Sequence, residues 1–173
     1  EQVHIVCKEE NLGVSVLWTY WQDLLELADT ELIVLCPDDD GVNKHHLSEL
    51  RKTYAQFPWI SMAYGAYNTV DVKGNILSQY GPLYRSRRCI DPMIELQRFM
   101  LAGLCPQGYA IRKSVYEFMA KHDPYTPDGA KYGAHDFLTG IWVQSHFEVA
   151  HTPSLLSFIT TDNNTAFGKI DLS

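Results

Sequence analysis

The sequence predicts an α/β fold, a mostly parallel sheet flanked by helices, and two observations carry that reading. The run Glu31-Leu-Ile-Val-Leu-Cys36 is apolar without alternation, as in a strand covered on both faces in a parallel sheet. Around it, strand and helix patterns alternate from the first residues onward, the order that builds parallel sheets. At 173 residues the chain has room for one domain with a substantial core, so residues 1–173 are expected to form a single domain.

The elements follow in order. Val3–Cys7 reads as a strand and Lys8–Gly13 as a polar turn. A helix is predicted from Val14 to Ala28, because Leu17, Tyr20, Trp21, Leu24, Leu25 and Ala28 repeat with helical period. Trp18 and Trp21 fit that stripe and read as core residues. The strand Glu31–Cys36 ends in Pro37-Asp-Asp-Asp40. A second helix carries Leu47, Leu50, Tyr54 and Phe57 on one face, with Asn43 as its N-cap; His45 and His46 are expected on its exposed face.

Trp59–Asn68 alternates Ile60, Met62, Tyr64 and Ala66, the pattern of a half-buried strand. Val72-Lys-Gly-Asn75 is a hairpin turn, and Ile76–Tyr80 returns beside it. Asp91-Pro92 starts a helix, with Asp as cap and Pro in the first helical position. That helix runs through Ile94, Leu96, Phe99 and Met100 and stops at Gly103. Gly108–Arg112 reads as a short strand and Ser114 as the cap of a helix through Phe118. After the Pro- and Gly-rich loop 124–133, a helix spans His135–Ser145, and strands follow near Phe147–Ala150 and Leu155–Thr160.

Composition excludes some function classes. A net charge of −7 argues against a nucleic-acid or anionic-membrane surface, which needs a basic patch. Arg85-Ser-Arg-Arg88 is short and suits a solvated loop or a local anion contact. No apolar run approaches the length of a membrane span, and the N-terminus shows no signal-peptide pattern. Cys7, Cys36, Cys89 and Cys105 have no CxxC spacing and read as reduced thiols of a cytoplasmic protein.

The chemistry is expected at Asp38, Asp39 and Asp40. Three carboxylates beyond a strand end repel one another unless a cation neutralises them, and hard oxygen ligands suit Mg²⁺ or Mn²⁺. Ligands of open α/β sheets bind beyond the carboxyl ends of strands. The same acids also suit a solvated turn that caps the next helix.

In this order the segments resemble the family 2 glycosyltransferases, which have the GT-A fold. Glu10-Asn-Leu-Gly13 before a helix resembles their segment after the third strand. Leu35-Cys-Pro-Asp-Asp-Asp40 resembles their Asp-x-Asp metal motif, filled by Asp38 and Asp40. The stretch Tyr64–Gly74 is similar to their next strand and hairpin, and Tyr109–Tyr116 to the segment lining the acceptor side. His135-Asp136 falls where those enzymes carry Glu-Asp. The resemblance implies metal-assisted, inverting transfer of a sugar from a nucleotide-diphosphate donor to a hydroxyl on a glycan, lipid-linked or other acceptor. Mn²⁺ or Mg²⁺ would sit on Asp38 and Asp40, with Asp39, His135 and Asp162 as auxiliaries and Asp136 as the base. Asp136 also suits a helix N-terminus with no catalytic task. Gln107 and Gly108 would lie where an acceptor passes.

Three departures from the family stand out. His135 replaces the usual Glu, and Thr160-Thr-Asp-Asn-Asn164 stands where many relatives have a metal-holding His. The chain also begins at what resembles the third strand. It is therefore expected to be N-terminally incomplete and prone to self-association, and a GT-A-like domain that binds without catalysing is the competing expectation.

Overall fold

The computed structural model describes residues 25–34, 36, 39–81, 84–102, 107–122, 143 and 145–161, with 99–102 and 119–122 described by backbone alone. Its elements are β1 (Leu32–Val34), β2 (Gly41–Val42), α1 (His46–Gln56), β3 (Met62–Val70), β4 (Ile76–Tyr80), β5 (Arg88–Ile90), α2 (Pro92–Ala102), β6 (Ala110–Arg112), α3 (Lys113–His122) and β7 (Val149–Thr160). Residues 25–27 are helical, as are 143, 145 and 146, where two further helices were expected. The strand expected at Val3–Cys7 lies outside the described residues.

Two long strands organise the sheet. β3 and β7 pair in parallel at its centre, and every other pairing among the described residues is antiparallel. The outer edge of β3 takes β6 near its start and β4 near its end. The outer edge of β7 takes β5 near its start and β2 near its end. β1 follows β6, giving the order β1-β6-β3-β7-β2. The expected mostly parallel sheet is therefore a mixed one. β1, β3 and β7 do share a direction, but antiparallel β6 is wedged between β1 and β3.

That wedge also corrects the reading of the strand expected at Glu31–Cys36. β1 is only three residues long, half-buried throughout, and ends the described path of strands. Its side chains still alternate as a strand's must: Ile33 packs on one core cluster, Leu32 and Val34 on the other.

The two clusters lie on opposite faces of the sheet. One gathers Met62, Tyr64, Ile111, Val115, Tyr116, Val143 and Val149. The other gathers Ile60, Ala63, Ala110, Ala150 and Leu156 with Leu50 and Tyr54 of α1. β3 is accordingly buried on both sides from Met62 to Ala66, where one-sided alternation was expected. Small residues on the second face, Ala63 and Gly65, hid that burial from the hydrophobic pattern.

β7 joins two strands that the sequence separates at Pro153. Opposite the Tyr64–Ala66 step of β3, β7 inserts two extra residues between His151 and Leu155, a bulge that contains Pro153. Proline is tolerated there because a bulged residue need not donate to the ladder. Gly65 is the counterpart of the bulge. A Cβ at Gly65 would meet Ser154 O at 2.7 Å, Leu156 Cγ at 2.8 Å and Thr152 Cγ2 at 2.9 Å, so only glycine fits.

Several local expectations hold. Asp91 Oδ1 accepts from Met93 N at 2.9 Å, and Pro92 opens α2. The β3–β4 turn is organised by Asp71, whose Oδ1 accepts from Lys73 N and Asn75 N at 2.8 Å, with Gly74 at φ +84°. Others shift. His45 is the N-cap residue of α1, while Asn43, two residues earlier, accepts from His45 N through Oδ1 at 3.0 Å. Ser114 lies inside α3, which starts at Lys113 directly after β6. α2 exposes Met93 and Ile94 and buries Glu95, the reverse of a simple apolar stripe. No described helix is long and apolar enough to cross a membrane.

Candidate functional site

The acidic turn leaves β1 and leads into β2, which pairs with the far end of β7 through Gly41↔Phe158 and Val42↔Ser157. This connection places the turn against the carboxyl end of a second strand. Asp40 Oδ1 accepts from the backbone N–H of Thr160 at 3.0 Å, and Asn43 N donates to Leu156 O at 2.8 Å. Asp40 is half-buried and Asp39 is exposed. Asp38 lies outside the described residues, as do His135, Asp136 and Asp162. Asp162 follows Thr160 by two positions in the chain, so the sequence continues from the Asp40 contact toward it. Among the described residues, no group of three or more His, Cys, Asp or Glu side chains is arranged to hold a metal ion.

Behind the turn sits a residue that the sequence pattern misplaced. His46 was expected on the exposed face of α1, but it is 2% exposed. Its Nε2 lies 2.7 Å from Gly108 O. A carbonyl only accepts, so Nε2 carries the proton and donates. The buried positions of α1 are His46, Leu50, Thr53 and Tyr54, at helical spacing, whereas Leu47, expected in the core, is 61% exposed. The spacing of His46 to Leu50 and Tyr54 was the available signal. His45 is exposed as expected.

Gly108 adopts φ +57°, and its open side is filled by Ser157. A Cβ there would come within 2.6 Å of Ser157 Oγ and 2.7 Å of Ser157 Cβ. Glycine at this position thus admits the close approach of β7. The Ser157 hydroxyl is itself buried, without a hydrogen-bond partner among the described residues. α1, β7 and the loop entering β6 meet at this one residue.

Two polar networks brace the sheet near the bulge. On the α1 side, Glu49 binds Lys52 at 2.7 Å, Ser154 Oγ at 2.9 Å and the guanidinium of Arg87. The Lys52 contact first, then those from Ser154 and Arg87, outweigh burial and hold the Glu49 carboxyl down at about 2. The local anion expected for the Arg85–Arg88 stretch is therefore Glu49, at Arg87. Arg88 instead lies over the Tyr84 ring at 4.8 Å.

On the opposite face, Tyr64 OH and Arg98 both bond the buried carboxylate of Glu95. His151 stands beside them, edge-on to Tyr64 and Tyr84 with ring centroids 5.4 and 5.2 Å apart. It is fully buried, and among the described residues neither ring nitrogen has a hydrogen-bond partner. Desolvation, aided by the positive charge of Arg98, lowers its pKa to about 4. Cys89 is half-buried in β5, and desolvation raises its thiol pKa; Cys36 is exposed, not inside a strand as expected.

Compared with known proteins, the chain matches no protein-family model and no curated protein.

Proposed function

We propose that the chain is a GT-A-like glycosyltransferase domain that uses the Asp38–Asp40 turn to hold a divalent cation and the diphosphate of a nucleotide-sugar donor. The observation that carries this reading is the bond from Thr160 N to Asp40, which brings the acidic turn to the end of β7. The region beyond the carboxyl ends of like-directed strands is where α/β sheets bind ligands.

The donor set fits Mn²⁺ or Mg²⁺. Carboxylates are hard ligands, and a carboxylate accepting one N–H bond keeps lone pairs for a metal while its orientation is fixed. When bound, the cation would supply Lewis-acid stabilisation of the leaving diphosphate. Asp38 and Asp40 would bind it, with Asp162 joining from the segment beyond Thr160. Asp136 would take the proton from the acceptor hydroxyl as that oxygen attacks the anomeric carbon, inverting it. His46 would hold the Gln107–Gly108 loop against the start of α1, behind the acidic turn.

One observation favours a second reading, a GT-A-like domain that binds without catalysing. Asp40 already serves the fold by capping the end of β7, so an acidic turn is explicable with no metal at all. Calorimetric titration of Mn²⁺, with and without UDP or GDP, separates the two. Asp38→Ala should weaken binding at least tenfold, and the Asp38→Ala/Asp40→Ala pair should abolish it. Equal affinity in wild type and the double variant would leave only the non-catalytic reading.

A further inference from the structure

At the start of β1, on the α1 face, lies a cleft of about 420 Å³ lined by Glu31, Leu32, Tyr54, Ala55, Pro58 and Arg112. Its size falls within the range of small-molecule sites, roughly 300–1,000 Å³. Leu32, Ala55 and Pro58 supply apolar wall, Arg112 supplies a positive charge, and Glu31 supplies a carboxylate.

That guanidinium is unusually well fixed. Arg112 Nε donates to Ile60 O at 2.7 Å, Nη2 donates to Pro58 O, and the group lies over the Tyr54 ring at 5.4 Å. Tyr54 is anchored in turn, since its hydroxyl lies 2.9 Å from Ala110 O and 3.2 Å from Ser61 O. Two carbonyls and an aromatic face therefore orient Arg112 without neutralising it.

Among the described residues its charged partner is Glu31, bound at Nη1. The Glu31 side chain is 73% exposed, against 20% for Arg112. An ion pair with so exposed a member is screened, and holding it costs side-chain entropy, so little free energy opposes its replacement. A pre-oriented guanidinium matches a planar carboxylate, and Glu31 already displays that mode of contact.

We propose that this cleft binds a small carboxylic acid with a compact apolar body, its carboxylate replacing Glu31 on Arg112. The apolar body covers Leu32, Ala55 and Pro58, a contact that the Glu31 side chain, mostly in water, does not make. The site is separate from the acidic turn, which lies beyond the other end of β1, and it does not rest on the glycosyltransferase reading.

The test is ¹⁵N NMR titration of the full chain with isovalerate, with isovaleramide and inorganic phosphate as controls. Isovalerate should shift the Leu32 and Ala55 amides and the Arg112 Nε–H saturably, and isovaleramide should not. Glu31→Gln removes the internal competitor without touching the anchored guanidinium. It should tighten isovalerate binding at least threefold, while Arg112→Lys should lose it. No saturable shift in either wild type or Glu31→Gln overturns the proposal. So does an equal response to isovaleramide, or a response to phosphate in place of isovalerate. If Arg112→Lys does not fold, the Glu31→Gln comparison alone decides.

Discussion

His46 Nε2 donates to the carbonyl of Gly108 at 2.7 Å, tying the first residue of α1 to the loop that enters β6. The imidazole is buried and the carbonyl it serves belongs to a residue with positive φ. One side chain thereby fixes three elements, because Ser157 of β7 packs on the same glycine.

Replacing it should be costly. His46→Ala leaves the Gly108 carbonyl without its donor and opens a void, and each effect is destabilising. A loss of about 2–3 kcal/mol is expected in urea denaturation, with His46→Gln recovering part of it. A loss below about 0.5 kcal/mol would mean that the loop holds its place unaided.

Gly65 and Gly74 offer a paired comparison. At Gly65 a methyl group would strike backbone and side-chain atoms of the β7 bulge from three sides. Gly65→Ala should cost on the order of 3 kcal/mol or more, or prevent folding. At Gly74 nothing lies within 4 Å, and only the positive φ resists substitution. Gly74→Ala should cost about 1 kcal/mol. Similar thermal shifts for the two variants would contradict the packing at the bulge.

Stability should fall in two separate acid steps. His151 has a pKa near 4 in the fold against an ordinary 6.5, so the unfolded chain takes up the proton first. Its contribution is intact above about pH 6.5 and is lost as pH falls toward 4, by on the order of 3 kcal/mol. Glu49, held at about 2 against 4.5, contributes fully above pH 4.5, and that contribution is lost as pH falls toward 2. In a series of urea melts, His151→Phe should remove the upper step and leave the lower one. An unchanged upper step would assign it to another group.

Asp136→Asn addresses the proposed chemistry. In a preparation that transfers sugar, it should lower kcat at least a hundredfold with donor affinity nearly unchanged, as for a group needed mainly in the transition state. A variant that keeps most of its kcat would place the base elsewhere.

How far the sequence could be read depended on whether a signal was local. Asp91-Pro92 and the Val72–Asn75 turn were legible because caps and turns are set by neighbouring side chains. The mixed sheet was not, since nothing in Ala110-Ile-Arg112 tells a strand which way its partners run. The β7 bulge was misread as a gap because Pro153 and Gly65 acquire their meaning only together. Glu95 was passed over because a buried acid is predictable only when its partners, Tyr64 and Arg98, are known to be near. At the candidate site, the role of Asp40 in closing the end of β7 depends on Thr160, 120 residues later.

The parallel pairing of β3 with β7 has a kinetic consequence. β3 obtains its longest partner only when residues from Val149 onward are available, whereas the β3–β4 hairpin closes over a few residues. Contacts of such long sequence separation slow folding, because the intervening loop must be ordered before they form. During synthesis, β3 would therefore emerge and pair with β4 while its other edge and both apolar faces waited for the remainder of the chain. Chains truncated before Val149 should stay open along β3 and be the species that chaperones capture, and rapid refolding is expected only once β7 is complete.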